Sequence, residues 1–178
     1  FKVDTSPKFG FAYAPVLSET GDMSDRSREL IRHYHESEWR STRLDVLKQL
    51  GKFQDARSFQ FLIEIIQKNE DLSEQHLAIL ALSQRKSTTS ARFLRYFHAK
   101  APDVLKAHLT YALGQVQDEV SIPALLKDLE IAVSKQDYFW VRNIVLALGE
   151  LKAFSALPKL RRFLTEKTIE EPSLTMAV

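Results

Sequence analysis

The chain repeats itself, and this limits its folds more than any other property. Four segments superpose without a gap on a shared Leu-Gly or its equivalent: Leu44-Asp-Val-Leu-Lys-Gln-Leu-Gly51, His76-Leu-Ala-Ile-Leu-Ala-Leu-Ser83, Ala107-His-Leu-Thr-Tyr-Ala-Leu-Gly114 and Arg142-Asn-Ile-Val-Leu-Ala-Leu-Gly149. The anchors at 51, 83, 114 and 149 stand 32, 31 and 35 residues apart, a spacing that suits one helical hairpin per unit. The second half of each unit agrees independently. Eight residues past the anchors stand Phe59, Ala91, Ile122 and Leu157; eleven past, Leu62, Leu94, Leu125 and Leu160; fifteen past, Ile66, His98, Leu129 and Leu164. Offsets of 8, 11 and 15 trace one face of a helix,. Pro123 and Pro158 both fall nine residues past their glycines, where a first-turn proline forfeits no intrahelical hydrogen bond.

These periods predict a first helix ending at the anchor, a short turn made by the Gly or Ser, and a second helix returning antiparallel. Neither helix buries its apolar stripe alone, so the hairpins are expected to stack, with first helices on a convex side and second helices on a concave one. Composition supports helix: of 178 residues only five are Gly and six Pro, and four of those eleven lie in the first 21 positions,.

Within units three and four the pattern resembles the short bacterial HEAT-like repeat. Val141-Arg142, Ala147-Leu-Gly-Glu-Leu151 and Ala156-Leu-Pro-Lys-Leu160 are very similar to it, and Ala112-Leu-Gly114 with Ile122-Pro-Ala-Leu-Leu126 nearly so. Units one and two depart from it, because Leu50-Gly51 lacks the preceding alanine and Ser83 replaces glycine. The resemblance covers about residues 38–167. It implies an all-α, right-handed α-α superhelix (a HEAT-like solenoid) of about four hairpins, and it specifies fold far better than function.

The ends read differently. Residues 1–23, broken by Pro7, Gly10, Pro15 and Gly21, form an expected irregular arm, and residues 24–37 an N-terminal helix opened by Ser24 and Asp25,. Trp39 is expected to seal that helix against the repeats. Residues 168–178 read as a tail or the start of a further repeat, since Met176 lies 35 residues beyond Val141. Phe1 in place of Met leads to the expectation of residues lost upstream, and the incomplete last unit to that of an uncapped edge able to self-associate,.

Composition removes several chemistries. Cysteine is absent, which excludes disulfides, thiol nucleophiles and Cys-based zinc sites,. The longest apolar runs are too short to span a bilayer,. The glycines are isolated, so no phosphate loop exists, and no serine stands in a nucleophile-elbow setting,. His33, His35 and Glu36 cluster, but His76, His98 and His108 have no acidic neighbour in sequence, so the histidines read as helix-end or solvated residues rather than metal ligands,. The sequence nominates no catalytic, cofactor or metal residue.

A partner surface is easier to place. Thirteen residues past the anchors stand Glu64, Tyr96, Lys127 and Arg162, and one residue earlier Ile63, Arg95, Leu126 and Arg161. With Arg92 and Lys159 they predict a ridge of rising positive charge along the second helices. Arg and Lys neutralise carboxylates or phosphates, and Tyr96 adds a stacking face. Trp140, in the aromatic run Tyr138-Phe-Trp140, is a further candidate anchor,. The reading is a scaffold or adaptor that binds a protein or acidic peptide. Two alternatives accompany it: a nucleic-acid backbone, which the net charge of only +2 disfavours,, and service as an accessory domain of a larger enzyme.

Overall fold

The computed structural model describes residues 23–68 and 70–165, within which there are nine α-helices and no strand. They are α1 (Met23–Glu36), α2 (Arg40–Leu50), α3 (Ala56–Lys68), α4 (Leu72–Gln84), α5 (Thr88–His98), α6 (Asp103–Gln115), α7 (Ile122–Ser134), α8 (Tyr138–Glu150) and α9 (Leu157–Thr165). The four anticipated first helices are α2, α4, α6 and α8, and their second helices α3, α5, α7 and α9. Residues 1–22 and 166–178, which hold nearly all of the expected arm and tail, lie outside the described residues. Met23 is already helical, so Ser24 sits within the first turn of α1 and not at its cap. Trp39 flanks α2 and stays 39% exposed, which does not make it the buried seal that was expected.

Local chemistry explains where the helices start. Asp71 accepts hydrogen bonds from the N–H groups of Ser73 and Glu74, Ser87 from Ser90, and Asp137 from Trp140, satisfying donors that an α-helix leaves unpaired at its first turn,. Pro123 and Pro158 are the second residues of α7 and α9, each of which follows a short 3-10 turn.

The chain packs as two compact units that divide between Arg85 and Lys86, inside the second expected hairpin. In the first unit α4 lies on α2 and α3, and α1 packs on the same two helices. Its core holds Leu30, Leu47, Leu50, Leu62, Ile66, Ile79 and Leu82, all fully buried. In the second unit α8 packs most extensively on α6, while α5 lies on α6 and α7 on α8. Leu94, Leu109, Leu113, Leu125, Leu129, Val141 and Ile144 fill that core. Each such side chain contributes about 1.5–3 kcal/mol by leaving water.

The anchor glycines do different work from that expected of them. None has a positive φ; the left-handed residues are Lys86, Gln117 and Lys152, three past the anchors, together with Gln136. At the end of α6 the N–H of Gln117 bonds to the carbonyl of Gly114 and that of Asp118 to Leu113, and Lys152 and Ala153 repeat this on Gly149 and Leu148 after α8. This is the Schellman closure, made here with Gln and Lys at the left-handed position. The glycine is needed for close approach instead. A Cβ on Gly114 would lie 2.6 Å from the Cα of Ala147, and one on Gly51 would lie 2.9 Å from the Cα of Ala81. One close contact therefore recurs in each unit: an alanine two residues before the anchor of one first helix rests on the anchor glycine of the preceding first helix, Ala81 on Gly51 and Ala147 on Gly114.

Candidate partner-binding face

All the nominated surface residues fall in the second unit. Its second helices are tied together by polar contacts. His98 Nε2 on α5 lies 3.1 Å from Asp128 Oδ2 on α7, and Lys159 Nζ on α9 donates to the Leu126 carbonyl on α7 at 3.0 Å and pairs with Glu130 at 2.6 Å. The columns eleven and fifteen residues past the anchors turn inward as predicted, with Leu94, Leu125, Leu129 and Leu160 buried, whereas the column eight past them lies at the margin, Ala91 and Ile122 being half-buried and Leu157 exposed. On the same helices Arg92, Lys127, Arg161 and Arg162 are exposed, as is Tyr96 at 56%.

Two of the nominated cations are already neutralised. Arg95 is half-buried and donates to Asp118 at 3.1 Å, holding α5 to the turn after α6, while Asp118 also accepts from Ser121. Lys159 is consumed by Glu130 and Leu126, and its ammonium is the main reason that the Glu130 carboxyl is held below its ordinary range, with Arg162 adding to the effect. These two residues position helices more than they offer charge. Arg92 and Lys127 make no ion pair among the described residues. Lys100 donates to the Tyr96 hydroxyl at 2.7 Å and lies over its ring, adding a cation the sequence reading omitted.

Trp140 is a correction. It is 2% exposed, with its indole N–H donating to Thr110 Oγ1 at 3.2 Å, so it is a core residue of α8 and presents nothing to a partner. Successive helical residues are turned by about 100°, and with Trp140 pointing inward the neighbouring Phe139 is 53% exposed, edge-on to His108.

Three carboxylates, those of Glu74, Asp118 and Asp128, are buried. Glu74 accepts from Arg43 at 2.8 Å and from the Tyr34 hydroxyl. Asp128 stands beside His98 close enough to pair as ions, though without the alignment of a hydrogen bond. His98 also approaches Thr110 Oγ1 at 3.3 Å, so Thr110 joins His98 to Trp140. Sequence adjacency could not reveal this cluster, but one sign was available: His98 fills a column otherwise occupied by Ile66, Leu129 and Leu164, and a polar residue in an apolar column requires a buried partner. No group of three or more metal-ligating side chains gathers among the described residues.

No protein-family model matches the chain, and no curated protein matches it. No helix among the described residues is long and apolar enough to cross a membrane.

Proposed function

We propose that this chain is a non-catalytic binding module whose second-helix face, on α5, α7 and α9, takes an acidic peptide segment of a protein partner. The observation behind this is an asymmetry of charge. Of the carboxylates neighbouring the face, Asp118 is engaged by Arg95, Asp128 is turned inward to His98, and Glu130 is neutralised by Lys159. Arg92 and Lys127 remain exposed there with Tyr96 and make no ion pair among the described residues, and Arg161 and Arg162 are also exposed on α9. Held on packed helices, such a surface binds by preorganised complementarity, with little ordering cost on its own side. Charge-assisted hydrogen bonds from Arg to carboxylate supply orientation, and Tyr96 supplies contact area at low entropic cost.

The HEAT-like superhelical reading of the fold belongs to the same proposal. Its support is the repeat of the glycine–alanine contact, once in each unit.

Fluorescence anisotropy of a labelled oligoglutamate peptide, with a labelled DNA duplex as rival, tests the reading. The peptide is expected to bind in the micromolar range and to lose at least tenfold in affinity when Arg92→Glu, Lys127→Glu and Arg162→Glu are combined. An unchanged affinity refutes the choice of face. Tight duplex binding with a steep salt dependence, paired with no peptide binding, refutes the choice of partner.

A further inference from the structure

The buried polar cluster of the second unit takes no part in the peptide contacts proposed above, yet it borders them. His98 stands two residues from Tyr96 and Asp128 next to Lys127, so the inward and outward side chains share the same turns of α5 and α7. Both inward groups are buried, and His98 Nε2 lies 3.1 Å from Asp128 Oδ2. From α6 the Thr110 hydroxyl approaches the same ring nitrogen at 3.3 Å, and from α8 the Trp140 N–H donates to that hydroxyl. Around them Leu94, Leu125 and Leu129 are apolar and buried, and apolar burial is non-directional, so it tolerates sliding. A buried carboxylate that loses its polar neighbour is costly. The pair therefore singles out one register of α5 against α7, which is the best-attested role of buried polar groups.

We propose, resting on the peptide-binding reading above, that His98 and Asp128 are positioning residues of that face: by holding α5 to α7 they fix the separation of its cations, so that it selects acidic peptides whose carboxylates recur every third residue. Tyr96 and Lys127 occupy the same place in their units, thirteen residues past the anchors, and Arg92 and Lys100 stand four residues to either side of Tyr96. Helices in side-chain contact lie about 8–10 Å apart. A peptide in the polyproline II form has three residues per turn and rises about 3.1 Å per residue, which returns every third side chain to the same side about 9 Å further on. One carboxylate thus meets the cations of α5 while the next meets Lys127 on α7. Carboxylates at every second residue point to different sides and do not engage both helices together.

The test uses the full chain and two fluorescein-labelled peptides of four Glu and eight Ser each, one with Glu at every third residue and the other at every second, so that charge and composition are equal. Fluorescence anisotropy is expected to show at least about tenfold tighter binding of the first, because simultaneous engagement of both helices is open to it alone. His98→Leu with Asp128→Leu is expected to recover most of the melting temperature that either single variant loses, yet to reduce the preference to about twofold or less. His98→Gln, whose side-chain N–H reaches the same carboxylate, is expected to retain the preference. A merely structural role predicts instead that the preference returns with the stability. A double variant that keeps the preference therefore overturns the proposal, as does loss of the preference in His98→Gln. Equal binding of the two peptides by the unaltered chain overturns it as well while leaving the acidic-peptide reading in place, and binding of neither overturns both.

Discussion

Alanine placed at Gly114 and at Gly149 gives opposite outcomes from the same substitution. Both glycines lie inside helices with ordinary helical φ, so each variant gains about 0.8–1 kcal/mol of helix propensity. At Gly149 that gain stands alone, and Gly149→Ala is expected to stabilise by up to about 1 kcal/mol. At Gly114 the new methyl would sit 2.6 Å from the Ala147 Cα and 2.9 Å from its Cβ. Neither atom belongs to a flexible side chain that can swing aside, so the backbones of α6 and α8 must shift at this crossing. Overpacking of this kind costs about 1–3 kcal/mol, and a strained backbone contact belongs at the upper end. Because the propensity gain is common to both, the difference between the two variants isolates the packing cost at about 1–3 kcal/mol. Urea unfolding measures it, followed by the fluorescence of Trp140 in a Trp39→Phe background, which removes the only other tryptophan. If Gly114→Ala proves as stable as Gly149→Ala, close approach is not the reason for the glycine.

Further outcomes follow from the buried polar groups. His98→Leu strands Asp128 without a partner and is expected to destabilise by about 1–3 kcal/mol or more, whereas His98→Leu with Asp128→Leu recovers most of the loss; denaturation of the two singles and the double as a cycle checks this, and additive losses refute the pairing. Trp140→Ala is expected to cost about 3–5 kcal/mol and Phe139→Ala less than about 1 kcal/mol, read from the same unfolding curves, with equal losses refuting the assignment of Trp140 to the core. The Asp71 carboxyl is held well below the ordinary carboxylate range, first by its hydrogen bond from Arg40, opposed by partial burial and helped by the Ser73 and Glu74 N–H groups. A depressed folded value means that the interaction stabilises fully above the ordinary carboxylate pKa and is lost as pH falls below it. A carbon-detected NMR titration is expected to show Asp71 moving back towards the usual range in Arg40→Ala; an unmoved Asp71 contradicts the role given to the guanidinium.

The repeat, the helical class and the inward columns were determined by the sequence alone, because periodicity reports which side of a helix must leave water, and that requirement is local to each helix. Pro123 and Pro158 were equally local and equally readable. Tertiary packing decided what the repeated residues are for. The glycines looked like turn formers, yet the left-handed turns fall on Gln117 and Lys152 and the glycines admit a neighbouring alanine, a fact that depends on which helices touch. Charge was likewise undecidable from the chain: Arg95 and Lys159 are spent on Asp118 and Glu130, residues 23 and 29 positions away, and Arg92 and Lys127 are not. Trp140 and Phe139 are neighbours of similar chemistry, and only the placement of Thr110 and the α6 surface sends one inward and leaves the other in water.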